Sequence, residues 1–159
     1  MNSATILSPK QALTSVQAIF WGGLLAGTLD AVDGVIAFGT QGLNPIQVLQ
    51  YIASGALGKS AFAGGIGTAV LGVAFHFGIA WVAAAVFVLA SRRLEILKTH
   101  AVAAGLLYGA AVYFFMNYLV LPLSAVAPGA FHLGLFLNGV IGHALLVGLP
   151  ISLFTRRAQ

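Results

Sequence analysis

Two carboxylates stand inside an otherwise apolar stretch of this sequence, GTLDAVDGVIAF, which covers residues 27–38. They belong to Asp30 and Asp33, and residues three apart lie on the same face of a helix. Two carboxylates held close together repel each other, so a proton, an imidazolium or a bound cation is needed to compensate them. The pair therefore predicts a site for a proton, a cation or a small polar ligand.

Four other polar side chains also lie in apolar surroundings, and they could share such a site. They are two imidazoles and two carboxamides, of His76, His143, Asn117 and Asn138. No lysine or arginine falls within the same apolar stretches, so the candidate partners of the acids are His76, His143, His132 or a bound ion. Whether these groups can meet depends on the helices that carry them.

The composition indicates a membrane protein. Of 159 residues, 60% are hydrophobic and 6% are charged, with a mean hydropathy of +1.01. A soluble domain has about 25% charged residues. The net charge of +4 comes from scattered residues, without the basic patch and interleaved aromatics that nucleic-acid binding requires. Because the chain has no cysteine, disulfides, thiolate metal sites and cysteine nucleophiles are excluded.

Four apolar runs are long enough for transmembrane helices, which need about 20 residues. The runs cover residues 16–38, 65–90, 99–121 and 131–154, and we treat 1–159 as one four-helix domain. The first run reaches this length only with Asp30 and Asp33 inside it. Residues 16–29 alone would match the apolar region of a signal peptide, with Lys10 as its charge. We expect the intact helix, which holds both acids at membrane depth.

The basic residues predict the orientation, because cytoplasmic loops carry more lysine and arginine than outer loops. With four alternating helices, Lys59 alone falls on one side. The others share the opposite side: Lys10, Arg92, Arg93, Lys98, Arg156 and Arg157. We therefore expect both termini in the cytoplasm.

A short outer helix is predicted over residues 45–57. Asn44 can cap it, and Pro45 suits its first position. One stripe is apolar and the opposite stripe is polar, with Ile46, Leu49, Ile52 or Ala53, and Ala56 or Leu57 against Gln47, Gln50 and Ser54. The pattern predicts an interfacial helix, which serves either as a connector on the lipid surface or as a lid over the bundle.

Pairs of glycines predict close contacts between helices. Gly23 and Gly27 form a G-x-x-x-G pattern in the first helix, and Gly105 and Gly109 form another in the third. Such small-residue faces let transmembrane helices approach closely.

The polar groups fall at similar depths when each residue adds 1.5 Å along its helix. The predicted layer in the outer half of the membrane contains Asp30, Asp33, His76, His143, Asn117 and Asn138. It could serve an ion, a proton or a small polar solute. It could instead hold a divalent metal on Asp30, Asp33, His76 and His143, or a haem between the two histidines. The polar groups could also simply hydrogen-bond the helices together. We favour this packing role for each asparagine and a functional role for the aspartates, because packing could use uncharged groups at less cost.

Three short stretches resemble the YagU-like bacterial inner-membrane proteins. They are AFHFG at 74–78, YLVLPL at 118–123 and the Gly142-His143 pair before a basic tail. The resemblance covers about the C-terminal half. It implies a small four-helix protein of the bacterial inner membrane and no catalytic residues, and it does not extend to Asp30 and Asp33.

The sequence therefore predicts an all-helical, non-enzymatic membrane protein that passes or binds an ion, a proton or a small polar solute. No serine-hydrolase or metalloprotease motif occurs in it. A different class is an accessory subunit that packs against larger membrane proteins and binds nothing itself. A third is a metal- or haem-binding membrane protein. One short bundle encloses little space, so we expect the chain to associate with a second copy or with a larger membrane protein. We also expect it to contact the lipid bilayer and not to bind nucleic acid.

Overall fold

The computed structural model of the protein describes residues 12–127 and 129–158. Most of that part is helical, and one isolated bridge pairs Leu13 with Ala158. The α-helices, in chain order, are α1 (Ser15–Gly39), α2 (Pro45–Leu57), α3 (Gly65–Ser91), α4 (Ile96–Thr99), α5 (Ala101–Phe115), α6 (Leu121–Leu123), α7 (Leu133–Gly142) and α8 (Leu149–Thr155). A 3-10 segment covers Gly58–Ala63, and π-helical segments cover Met116–Val120 and His143–Gly148.

Four continuous helices are long and apolar enough to span a membrane. The first is α1 and the second is α3, with 25 and 27 residues. The third joins α5 to α6 over Ala101–Leu123, and the fourth joins α7 to α8 over Leu133–Thr155, each with 23 residues. The four runs predicted from the sequence are confirmed to within two residues at each end. Lys10, which entered the orientation argument, lies outside the described residues.

A proline explains the widened turn in each of the last two spans. Pro122 and Pro150 each follow a π-helical segment by two residues. A proline within a helix cannot donate to the preceding turn, and its ring clashes with the carbonyl four residues before it. A π-turn relieves that clash without ending the helix. Both spans therefore continue past their prolines.

The predicted glycine contacts are confirmed. A Cβ atom at Gly23 would collide with Trp81, and one at Gly27 would lie 2.9 Å from the Phe77 ring, so α1 and α3 touch through this pair. Gly105 and Gly109 likewise face the backbone of the fourth span. Close helix contact through small residues is a common way to pack membrane bundles.

Alanines pack with a few larger apolar side chains in the centre of the bundle. The core cluster consists of Ala26, Ala83, Ala84, Phe87, Val147 and Ile151. Outside it, many large apolar side chains are exposed, among them Leu107 at 74%. Exposing this surface to water would cost about 25 cal/mol of free energy for each square ångström of apolar area. The surface suits helices surrounded by lipid.

The two described ends of the chain lie side by side at one end of the bundle. The Leu13 amide donates to the Arg157 carbonyl at 2.8 Å. The Lys98 ammonium, from the connection between the second and third spans, donates to the Ala158 carbonyl at 3.1 Å. Both described ends therefore lie at the same end of the bundle as the basic connection that carries Lys98.

The predicted helix over residues 45–57 forms with those bounds, and Asn44 caps it as expected, accepting from the Gln47 amide at 3.0 Å. Two of the three side chains of its polar stripe, however, face the bundle, and Gln47 is exposed. Gln50 and Ser54 are buried, and the Gln50 amide donates to the Gly65 carbonyl at 2.9 Å. Ile46 points outward instead. The backbone at the start of α3 supplies acceptors for Gln50, which explains why this polar face packs inward.

Candidate functional site

The aspartates lie on α1 within the first span, on the side of the fourth span. Counted from Gly39, where α1 ends, Asp33 is about 9 Å and Asp30 about 14 Å along the helix. Neither is fully buried, and the side chain of Asp30 is 21% exposed. The fourth span runs antiparallel to α1 and brings a polar group to each of these levels.

Asp30 pairs with His143. Its Oδ1 atom lies 3.5 Å from Nδ1 of His143, at the point where α7 gives way to the π-helical segment. This separation is longer than a formed N–H···O hydrogen bond, which measures about 2.7–3.2 Å. The Nδ1 atom is buried and has no hydrogen-bond partner among the described residues. A carboxylate and an imidazole thus face each other across a gap that a small movement would close.

Asp33 pairs with Asn138, one turn nearer the end of α1. The Asn138 carboxamide donates from Nδ2 to Oδ2 of Asp33 at 2.8 Å. Gly142 provides the space, because a Cβ atom there would lie 2.9 Å from the same carboxylate oxygen. An uncharged donor therefore holds the second carboxylate.

Tyr113 and Gly109, which the sequence argument left out of the site, surround His143 from α5. The Tyr113 ring is buried and lies edge-on to the imidazole with centroids 5.4 Å apart. A Cβ atom at Gly109 would collide with the His143 carbonyl. The signal in the sequence was the spacing, since Tyr113 follows Gly109 by four residues and so shares its helix face.

His76 does not join either pair. Its Nε2 atom donates to the Gly27 carbonyl at 2.7 Å, one turn of α1 away from Asp30. Because a carbonyl only accepts, Nε2 carries the proton. The imidazole thus links α3 to α1 through the backbone.

Asn117 also lies outside the pairs, because its carboxamide donates to the Tyr113 carbonyl within its own helix at 2.9 Å. Of the six predicted layer residues, the structure therefore brings four together as two pairs.

The four residues considered as metal ligands do not converge. Among residues 12–127 and 129–158, no three side chains of His, Asp or Glu come close enough to hold one ion. His76 is removed from the set by its bond to Gly27, and haem ligation would need both imidazoles free to face one iron. Of the three that remain, Asp30 and His143 face each other and Asp33 contacts Asn138 instead. Two potential ligands therefore meet, fewer than the four of a structural zinc site.

A cavity of about 400 Å³ opens beside the site, between the end of α1 and the start of α7. Its lining combines polar and apolar side chains: Ile36, Ala37, Thr40, Gln41, His132, Leu133, Leu135 and Asn138, with Gly134. Asn138 belongs to the lining and also contacts Asp33. The cavity therefore leads from the end of the bundle to one of the two pairs.

No protein-family model matches the sequence, and no curated protein or solved structure matches the chain.

Proposed function

We propose that this chain is a non-enzymatic protein of the bacterial inner membrane that takes up protons at Asp30, Asp33 and His143 and passes them across the bilayer. Its four spans alternate, both termini lie in the cytoplasm, and α2 lies at the outer interface. The basic residues support this orientation, since the connection that carries Lys98 lies beside Arg157 and Ala158. The resemblance to YagU-like proteins supports the bacterial inner membrane as its location.

The observation that carries the proposal is the gap between Asp30 and His143. A carboxylate and a buried imidazole nitrogen face each other at 3.5 Å, with no other protein partner for the nitrogen in the described chain. Each group can hold or release one proton, and a proton between them converts a costly pair of unsatisfied groups into a hydrogen bond. Intramembrane ionisable residues are expensive, and they commonly mark ion or proton pathways.

A proton fits this geometry better than a metal ion. Within the described residues two potential metal ligands meet, fewer than the three or four protein ligands of a zinc site. Asn138 already occupies Oδ2 of Asp33 through its N–H group. A bound cation would face that donor, whereas a proton would sit on the other carboxylate oxygen without conflict.

Proton flux into liposomes tests the proposal. The purified chain is reconstituted with a pH-sensitive dye inside, and a potassium gradient with valinomycin drives protons inward. We expect the double change Asp30→Asn and Asp33→Asn to reduce flux by at least about tenfold, because positioned proton-transfer groups contribute about 10²–10⁴-fold. Glu95→Gln is the matched control, since it removes the remaining carboxylate of the chain from an exposed loop.

The outcomes separate the two classes of function. Flux that exceeds empty liposomes, survives Glu95→Gln and is lost in the double variant supports proton passage. Flux that is absent in the unchanged protein, or equal in the double variant, overturns it. Circular dichroism of each variant shows that the helices remain.

The alternative is an accessory subunit, and the third span is the feature that favours it. That span is the least buried of the four, and Leu107 and Tyr118 on it are 74% and 66% exposed. Such a face can contact a second copy or a larger membrane protein as well as lipid. Cross-linking through Leu107→Cys in native membranes, followed by co-purification, tests it, and a single fixed partner together with no proton flux would favour this alternative.

A further inference from the structure

We infer that the cavity between α1 and α7 is a water-filled entrance through which protons from the outer side reach Asp33. This inference rests on the proposed function. It adds the route by which protons enter, the side of the membrane from which they come, and water as their carrier. The cavity, defined by the lining residues given above, opens where α1 ends and α7 begins, at the end opposite the described chain ends.

The contact between Asn138 and Asp33 makes the cavity an approach to the site. Asn138 is a lining residue, and its amide nitrogen lies 2.8 Å from Oδ2 of Asp33. The floor of the cavity is therefore one hydrogen bond away from an intramembrane carboxylate. Thr40, Gln41 and His132 add polar groups that can bind water beside the apolar side chains of the lining.

The volume is sufficient for a chain of water molecules. Water takes about 30 Å³ per molecule in the liquid, so a cavity of about 400 Å³ has room for several. A buried water needs two to four polar partners. The lining supplies such partners in Thr40, Gln41, His132 and Asn138.

The proton balance assigns different parts to the two residues. Oδ1 of Asp33 accepts no hydrogen bond from the described residues, and the carboxylate is only half-buried. A hydronium in the cavity gives its proton to this oxygen and leaves as water, and the carboxylic acid later releases the proton toward the Asp30 and His143 pair. Asn138 keeps both its N–H protons throughout, so it is a positioning residue that fixes the orientation of the carboxylate.

Single cysteines test the entrance, because the natural chain has none. Leu135 lines the cavity, while Leu137 does not, although it lies on the same helix and is 48% exposed. Thiolates, which form in water and not in lipid, attack the sulfur of charged, membrane-impermeant thiosulfonate reagents and release a sulfinate. In intact cells we expect Leu135→Cys to react about tenfold or more faster than Leu137→Cys. In liposomes we expect the adduct at Leu135→Cys to block proton flux.

Each result bears on the entrance separately from the proposed function. Equal or slower reaction at Leu135→Cys, or reaction only in inverted membrane vesicles, overturns the outer entrance even when the aspartate variants abolish flux. Fast reaction with unblocked flux overturns the route. If Leu135→Cys reacts fast but the aspartate variants conduct normally, the proposed function fails and this inference fails with it. A second lining variant, Ala37→Cys, provides the same readout if Leu135→Cys does not fold.

Discussion

Gly142→Ala is expected to dislodge Asp33 while leaving the helices intact. The added Cβ atom would lie 2.9 Å from Oδ2 of Asp33 and 3.9 Å from Nδ2 of Asn138. Restoring ordinary contact at 3.4 Å requires the carboxylate to move by about 0.5 Å. Because it is the end of a side chain, it moves without displacing backbone, and the loss is limited to its hydrogen bond.

The size of the effect follows from that bond. A shift of about 0.5 Å along the 2.8 Å contact would lengthen it beyond the usual limit of about 3.2 Å. Hydrogen bonds between membrane helices contribute about 0.6 kcal/mol on average and up to about 1.7 kcal/mol. Replacing glycine by alanine also favours a helix by up to about 1 kcal/mol, so this gain has to be removed by a control.

Gly134→Ala is that control, since it lies on the same helix and has nothing within 4 Å of an added Cβ atom. Unfolding by sodium dodecyl sulfate in mixed micelles, followed by tryptophan fluorescence, should give a free energy of unfolding about 0.6–1.7 kcal/mol lower for Gly142→Ala than for Gly134→Ala. The side-chain amide signals of Asn138 in nuclear magnetic resonance spectra should shift in Gly142→Ala alone. Equal stabilities together with an unchanged Asn138 amide would refute the contact.

Two further variants probe the neighbouring contacts. Gly109→Ala should lower the free energy of unfolding by about 1–3 kcal/mol in the same assay, which is more than Gly142→Ala. The reason is that its Cβ atom meets the His143 carbonyl and must displace backbone. A loss no larger than that of Gly142→Ala would contradict this. His76→Phe keeps the ring and removes the donor to Gly27, so it should lower the free energy of unfolding by about 0.6–1.7 kcal/mol. The exposed His132→Phe is its control at less than about 0.5 kcal/mol, and equal costs would argue against the bond.

The spans could be predicted from the sequence because length and apolar composition determine them directly. Spans need about 20 apolar residues, and the runs end where polar or helix-breaking residues begin. The cap at Asn44 followed from the same local reasoning. The inward polar face of α2 did not, because Gln50 finds its acceptor at Gly65, fifteen residues away, and only the tertiary fold brings that carbonyl within reach.

The sequence could predict the depth of each site residue along its helix, but not the direction in which its side chain points. Counting residues along the spans brings His76 and Asn117 to the same level as the aspartates, yet level alone says nothing about which way a side chain points. The packing of α1 on α3 turns His76 toward the Gly27 carbonyl, and Asn117 finds an acceptor in its own helix at Tyr113. Rotation of a helix about its axis depends on its neighbours, which a hydropathy pattern does not specify.

Glycine at positions 109 and 142 connects the packing of the bundle to its chemistry. Gly109 lets α5 approach the backbone at His143, and Gly142 leaves room for the carboxylate of Asp33. Both lie next to the same turn, where the fourth span passes from α-helix to π-helix at His143. A larger side chain at either position would displace a titratable group or its backbone. The small residues that allow close helix contact thus also position groups of the proposed proton site: Gly109 fits against the backbone of His143, which faces Asp30 at 3.5 Å, and Gly142 makes room for Asp33.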